Sequence, residues 1–302
     1  MSFTPDQIID RVQLKKRMMH WRLLAIVSFT FFIFSLFATK EIQRVPVIEG
    51  DYIARIFIDG MILDDFDRTT KLKNIAEDKR VKAVIMHINS PGGTVVGGES
   101  LFNSIRKISA EKPVVSVMGD VAASAAYMTA IASDYIVAHQ GSVTGSIGVI
   151  AQSYEFTELA EKAGVRFHTF KSSPLKGGPI PTEPLSPEMR ASMDERIADI
   201  YEMFVDMVAS RRPLPKQRVY ELANGNTYTG RQAIKIGLID ALGDEDSALE
   251  WLRNIKKIPE GVKARDYSIE KENSRIDRFL DATNNLSISI KSLLNNSLMY
   301  FF

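Results

Sequence analysis

From Tyr52 onward the chain alternates between short apolar runs and stretches whose apolar residues recur every three to four positions. The short runs predict strands at YIARIFI (52–58), VKAVIMHIN (81–89), PVVSVM (113–118), DYIVAH (134–139), SIGVIAQ (146–152) and VRFHTF (165–170). The longer period predicts helices at TKLKNIAED (70–78), GGESLFNSIRKISA (97–110), AAYMTAIA (125–132) and FTELAEKAG (156–164). Strands alternating with helices imply βαβ units and a layered α/β core. Residues 187–212 predict one long helix with an apolar stripe of Met189, Met193, Ile197, Ile200, Met203, Phe204 and Met207. Such a stripe serves either a core or a subunit interface. A helix-rich section follows, from PKQRVYELANG (215–225) through TGRQAIKIGLIDALG (229–243) to EDSALEWLRNIKKI (245–258).

Before residue 52 the pattern changes. LLAIVSFTFFIFSLFA (23–38) carries no charge, and flanking residues bring it near the ~20 needed to span a bilayer. Arg11, Lys15, Lys16, Arg17 and Arg22 precede it, whereas Lys40 and Arg44 after it are mixed with Glu41, Glu49 and Asp51. This asymmetry predicts an uncleaved anchor at 23–39, with residues 1–22 cytoplasmic and the body exported. A cleavable signal peptide is the rival, but Phe37-Ala38-Thr39-Lys40 lacks its small-residue cleavage pattern. A buried core helix would not explain the one-sided basic cluster. Thr4, Pro5 and Gln7 open the N-terminal segment with a capping-box pattern. The chain therefore divides into residues 1–22, an anchor at 23–39, a linker at 40–51, a folded body at 52–258 and a tail at 259–302. The tail is rich in Asn and Ser and reads as disordered or loosely docked.

Composition narrows the chemistry. A net charge of +1 gives no electrostatic footprint for nucleic acid. With no cysteine, thiolate nucleophiles, disulfides and Cys-ligated zinc are excluded. His20, His87, His139 and His168 are scattered without metal-ligand spacing, and packing or exposure accounts for each.

Two junctions remain. In HINSPGGTVVGGESL (87–101) the strand is expected to end at Asn89, with Ser90-Pro91-Gly92-Gly93 turning into a helix. Paired glycines let backbone N–H groups approach a ligand, whether an oxyanion or a phosphate. A structural turn explains them equally well, and the Walker lysine and the Rossmann spacing are both absent. In GDVAASAAY (119–127) Ser124 lies at a strand-to-helix junction, where unpaired N–H groups carry partial positive charge. The amides of Ala125 and Gly93 could form a two-donor oxyanion hole beside its hydroxyl. A serine among alanines is also simply a small residue for close packing. A nucleophilic serine needs a base, and KSSPLK (171–176) offers Lys171 and Lys176. Either would have to become neutral, its pKa falling from ~10.4 toward ~7–8 in a dry pocket.

INSPGG, AASAAY, TGSIGVI and KSSPLK, in this order and spacing, resemble signal peptide peptidase A, the serine–lysine proteases related to Clp protease and the crotonase fold. TYTGRQAIKIGLID (227–240) resembles that family's closing motif, and the similarity runs from about Tyr52 to Trp251. The resemblance implies an α/β fold of layered ββα repeats and an acyl-enzyme mechanism. It makes Ser124 the nucleophile, Lys176 the general base and Ser146 the hydroxyl orienting that lysine. Gly93 and Ala125 become the oxyanion donors, and Lys171 falls outside the dyad. No metal or cofactor is implied. It further implies apolar peptide substrates such as remnant signal peptides, contact with membrane lipid, a homo-oligomeric ring and a bacterial inner-membrane location with the catalytic domain on the outer face. Two departures stand out: Ser124-Ala125-Ala126-Tyr127 replaces the commoner Ser-Gly-Gly-Tyr, and Ser173-Pro174 replaces Gly-Lys. Rival readings are a non-catalytic membrane scaffold that binds peptides and a crotonase-like acyl-CoA enzyme.

Overall fold

The computed structural model describes residues 5–38 and 50–269, with side chains over 14–30 and 50–269. The chain divides into two units, Met1–Gly50 and Asp51–Phe302. The first contains helix α1 (Pro5–Ala38), along which Leu23, Leu24, Ile26, Val27 and Phe29 are exposed. No helix among the described residues is long and apolar enough to cross a membrane. The apolar run 23–38 continues beyond the described side chains, which stop at Thr30. Thr4, Thr39, most of the 40–51 linker and residues 270–302 of the tail lie outside the described residues.

The second unit opens β1 (Tyr52–Ile62), α2 (Phe66–Glu77), β2 (Val81–Gly93), α3 (Val95–Ser109), β3 (Val114–Ala123) and α4 (Ala125–Ala130). It continues with β4 (Tyr135–Ala138), β5 (Val143–Gly145), α5 (Thr157–Lys162), α6 (Pro187–Arg211) and α7 (Lys216–Leu222). The order ends β6 (Thr227–Thr229), α8 (Gly230–Lys235), β7 (Ala241–Leu242), α9 (Glu245–Asn254) and β8 (Lys263–Asp266). One sheet runs β6-β5-β3-β2-β1-β8, with β4 pairing β3 and β7. Every pairing is parallel except β5 with β6.

Alternation decides which face of the sheet each residue covers. Ile53, Ala83, Ile85, Val115, Val117 and Val137 pack against Ala248 and Leu252 of α9. Their neighbours Ala54, Val84, Met86 and Ser116 point the other way and are equally buried. Strands covered on both faces read as nearly continuous apolar runs, which is why 81–88 and 113–118 stand out in the sequence. Side chains set the helix starts: Asp65 Oδ1 accepts from the amide of Arg68 at 3.1 Å, and Thr94 Oγ1 from that of Gly97 at 3.1 Å.

Three expectations are corrected. Residues 146–152 and 165–170 form no strand, and β2 runs past Asn89 to Gly93 because its pairing with β1 continues to Ile62. The 187–212 helix is present as α6, but its stripe is only partly covered. Met189 and Phe204 are buried, while Met193, Ile197, Ile200, Met203 and Met207 are half-buried.

Below the site, Arg212 follows α6 and is nearly enclosed, its side chain 6% exposed. Its Nε donates to Gly237 O at 2.8 Å, and Nη1 and Nη2 donate to the two oxygens of Asp240 at 3.0 and 2.8 Å. Asp240 Oδ2 also accepts from the amide of Ile136, and Tyr127 Oη donates to Leu238 O at 2.9 Å. The segment 237–240 is thereby fastened to β4 and α4. Arg212→Ala strands a partly buried carboxylate and is expected to cost about 3 kcal/mol. Urea unfolding checks this, and an unchanged midpoint would show that the pair carries no net stability.

Candidate active site

Parallel register brings the candidate residues together. Ser90 of β2 pairs with Ala122 of β3, Ala122 with Thr144 of β5, and Ala123 with Gly145. Strands β3 and β5 thus end level, with β2 running on to Gly93 beside them, and Ser124 and Ser146 are the next residues along β3 and β5. In open parallel sheets a ligand crevice forms beyond the carboxyl ends of the strands.

Both serines have backbone conformations that L-residues rarely adopt. Ser124 has φ 56° and ψ −122°, and Ser146 has φ 49°. Such geometry costs about 1–3 kcal/mol and persists only where the surroundings impose it. Here the amide of Ser124 donates to Gly145 O at 2.9 Å and the amide of Ser146 to Asn226 O at 2.8 Å. Thr144 Oγ1 donates to Ala122 O at 2.7 Å, bracing the same strand ends.

Ser124 is the residue before α4, where serine normally turns its oxygen onto a helix amide. It makes no such side-chain bond. The strained strand-to-helix turn leaves the hydroxyl half-buried and uncommitted, the presentation a nucleophile needs. Ala125, next in the chain, is buried.

The end of β2 presses on this turn. A Cβ on Gly92, which has φ +113°, would lie 2.8 Å from Ser124 Cβ, 2.9 Å from Ala123 O and 3.2 Å from the amide nitrogen of Ala125. Only glycine permits that approach. Gly93, the expected oxyanion donor, comes next and pairs with Ile62. A Cβ on Gly98 of α3 would sit 2.9 Å from Ala125 Cβ, so that helix also closes tightly on α4. The sequence makes Gly93 the expected oxyanion donor and gives Ser90 and Gly92 a part only in the turn, Gly92 with the freedom of a paired glycine. Ser90 is fully buried, and its Oγ accepts from the amide of Gly92 at 3.1 Å. A serine two places before a glycine is a known turn signal and could have marked it.

The lysines are placed differently. Lys176 is exposed on the segment between α5 and α6, its amide donating to Ser173 O at 3.1 Å. No hydrogen bond joins its amine to Ser124 or Ser146 among the described residues. Lys171 is paired with Glu183. Of the histidines, His87 Nε2 meets Glu245 Oε2 at 2.8 Å and stacks on Phe57 with ring centroids 5.3 Å apart. Burial works to raise the Glu245 carboxyl, but hydrogen bonds from Arg55 and His87 hold it below its ordinary value. None of the described histidines bonds to Ser124. The structure therefore assembles Ser124, Ser146, Gly92, Gly93 and Ala125, and the exposed Lys176 makes no hydrogen bond to them among the described residues.

The profile of peptidase family S49 matches residues 106–259, and that of Clp protease matches 54–140. A candidate protease of Synechocystis is 36% identical over 200 residues, which span 66% of this chain and 72% of the relative. A protein of Enterococcus faecium, named as a candidate signal peptide peptidase SppA, is 34% identical over 75% of this chain and 71% of its own length. The chloroplastic serine protease SPPA of Arabidopsis thaliana is 31% identical over 76% of this chain and 34% of its own.

Proposed function

Because this chain belongs to peptidase family S49 and is a serine peptidase, we propose that it cleaves apolar peptides, remnant signal peptides among them, through a Ser124–Lys176 dyad. The observation that carries this is the strained, uncommitted hydroxyl of Ser124 set against Gly92 and the amide of Ala125. Neutral Lys176 takes the proton of Ser124 as Oγ bonds to the peptide carbonyl carbon. The amides of Gly93 and Ala125 stabilise the oxyanion. On collapse the C–N bond breaks, Lys176 protonates the leaving amine, and an acyl-serine remains. Water, deprotonated by the same lysine, then releases the acid. Ser146, one strand over, holds the lysine's orientation.

Exposed apolar side chains support the substrate class. Met61 is 70% exposed, Leu63 51%, Phe66 82% and Val96 57%, and they flank the Ile62–Gly93 pairing beside Ser124. A peptide chain laid there would bury several of them. An anchor at 23–39 would hold the chain at a membrane, and the uncharged run behind five basic residues supports that reading. Assembly into a homo-oligomeric ring would deliver Lys176 to a serine and exclude water. The exposed lysine loop and the exposed apolar side chains of Phe170 and Ile150, 96% and 85% exposed, support this.

Peptides of matched length and graded hydropathy test the reading on the full chain in detergent. The expected result is cleavage of a signal-peptide-like Leu/Ala segment with kcat/KM at least about tenfold above that of a polar peptide, the effect of burying one or two apolar side chains. Equal rates would remove the proposed substrate class. The chain is also expected to stay with membranes through alkaline carbonate, and release by that treatment would remove the anchor.

A further inference from the structure

The segment carrying Lys176 is fastened very unequally along its length. Its descending limb is well held. Gly178 lies so close to α6 that a Cβ there would fall 2.1 Å from Met189 Cε, and Met189 is buried. The amide of Phe156 donates to Pro181 O at 2.7 Å, and that of Glu183 to Ile180 O at 3.1 Å. Around Lys176 itself there are only local turns, Lys176 N to Ser173 O and Gly178 N to Leu175 O, with Gly177 supplying φ +75°.

Among the described residues, the ascending limb, residues 166–172, has no backbone hydrogen bond to another element. Its side-chain tie runs to one carboxylate, because Lys171 bonds to Glu183. That bond above all holds the Glu183 carboxyl below its ordinary value. The pair is fairly sheltered, with side chains 17% and 31% exposed, and stands in the wall of a cavity of about 640 Å³ that Tyr154, Ser173, Pro179 and Met189 also line. Breaking this pair frees one end of the loop and leaves the other in place.

We propose that Glu183 is a positioning residue: by clasping Lys171 it fixes the entry of the loop that presents Lys176. This rests on the reading of Lys176 as the base. The clasp acts on the fraction of molecules in which the amine is presented for reaction, so it affects turnover and leaves the base itself unchanged. Lys171 has a structural role here, outside the dyad.

The test compares Glu183→Gln, Lys171→Met and the exchanged pair Lys171→Glu/Glu183→Lys in the full chain, on one apolar peptide. Each single variant is expected to lose about tenfold in kcat with KM within about twofold, as for a competent state made less populated. The exchanged pair is expected to recover most of the loss and to keep the wild-type pH profile of kcat/KM. Single variants with wild-type kcat, or an exchanged pair as impaired as the singles, would overturn the clasp. A direct chemical role for the Lys171 amine would show as that second result. Failure of the base reading is seen separately, as wild-type turnover by Lys176→Met.

Discussion

Ser124→Ala is expected to abolish peptide cleavage, with kcat falling by about 10⁴-fold or more, while the protein keeps its fold. The size follows from losing the group that forms the covalent intermediate, since what survives is only the contribution of the oxyanion donors and substrate binding. The fold is retained because the Ser124 hydroxyl makes no hydrogen bond that alanine would lose. The strained backbone is imposed by the 2.9 Å bond from the Ser124 amide to Gly145 O and by the abutting Gly92, and both remain. Thermal melting beside peptide kinetics checks both halves, with the change in stability held within about 0.5 kcal/mol. Residual cleavage within tenfold of wild type would place the nucleophile elsewhere.

Lys176→Met is the second large effect. Methionine keeps the unbranched stem and removes the amine, so the loop retains its turns, which are made by backbone atoms and by Gly177 and Gly178. A general base contributes about 10²–10⁴-fold, and a loss of about 10³-fold in kcat is expected. A variant with wild-type kcat would contradict the assignment. Because Lys171 stays bound to Glu183 in this variant, the comparison separates the two lysines.

Much of this arrangement was legible in the sequence, and the gaps have physical causes. The apolar runs at 52–58, 81–89 and 113–118 became β1, β2 and β3 because burial on both faces leaves few polar positions to blur them. The run VRFHTF alternates as a strand should, yet residues 165–170 find no partner edge in the sheet. Conversely β8, Lys-Ala-Arg-Asp, has almost no apolar signal and becomes a strand by pairing with the edge of β1. Ser124 stood out for its small neighbours and its place at a junction. Its φ of 56° did not, because that follows from contacts with Gly145 and Gly92 that are distant in the chain. Glu183 was invisible for the same reason: its pairing with Lys171 exists only once the intervening loop has folded back.

The central claim is that the hydroxyl of Ser124 is made reactive by the amine of Lys176. A fluorophosphonate probe followed by peptide mass mapping measures it directly. The account predicts a single adduct on Ser124, formed at least about 100-fold more slowly in Lys176→Met, the lower range for loss of a general base. An adduct on another residue, or labelling of Ser124 at the same rate without the lysine, would contradict it.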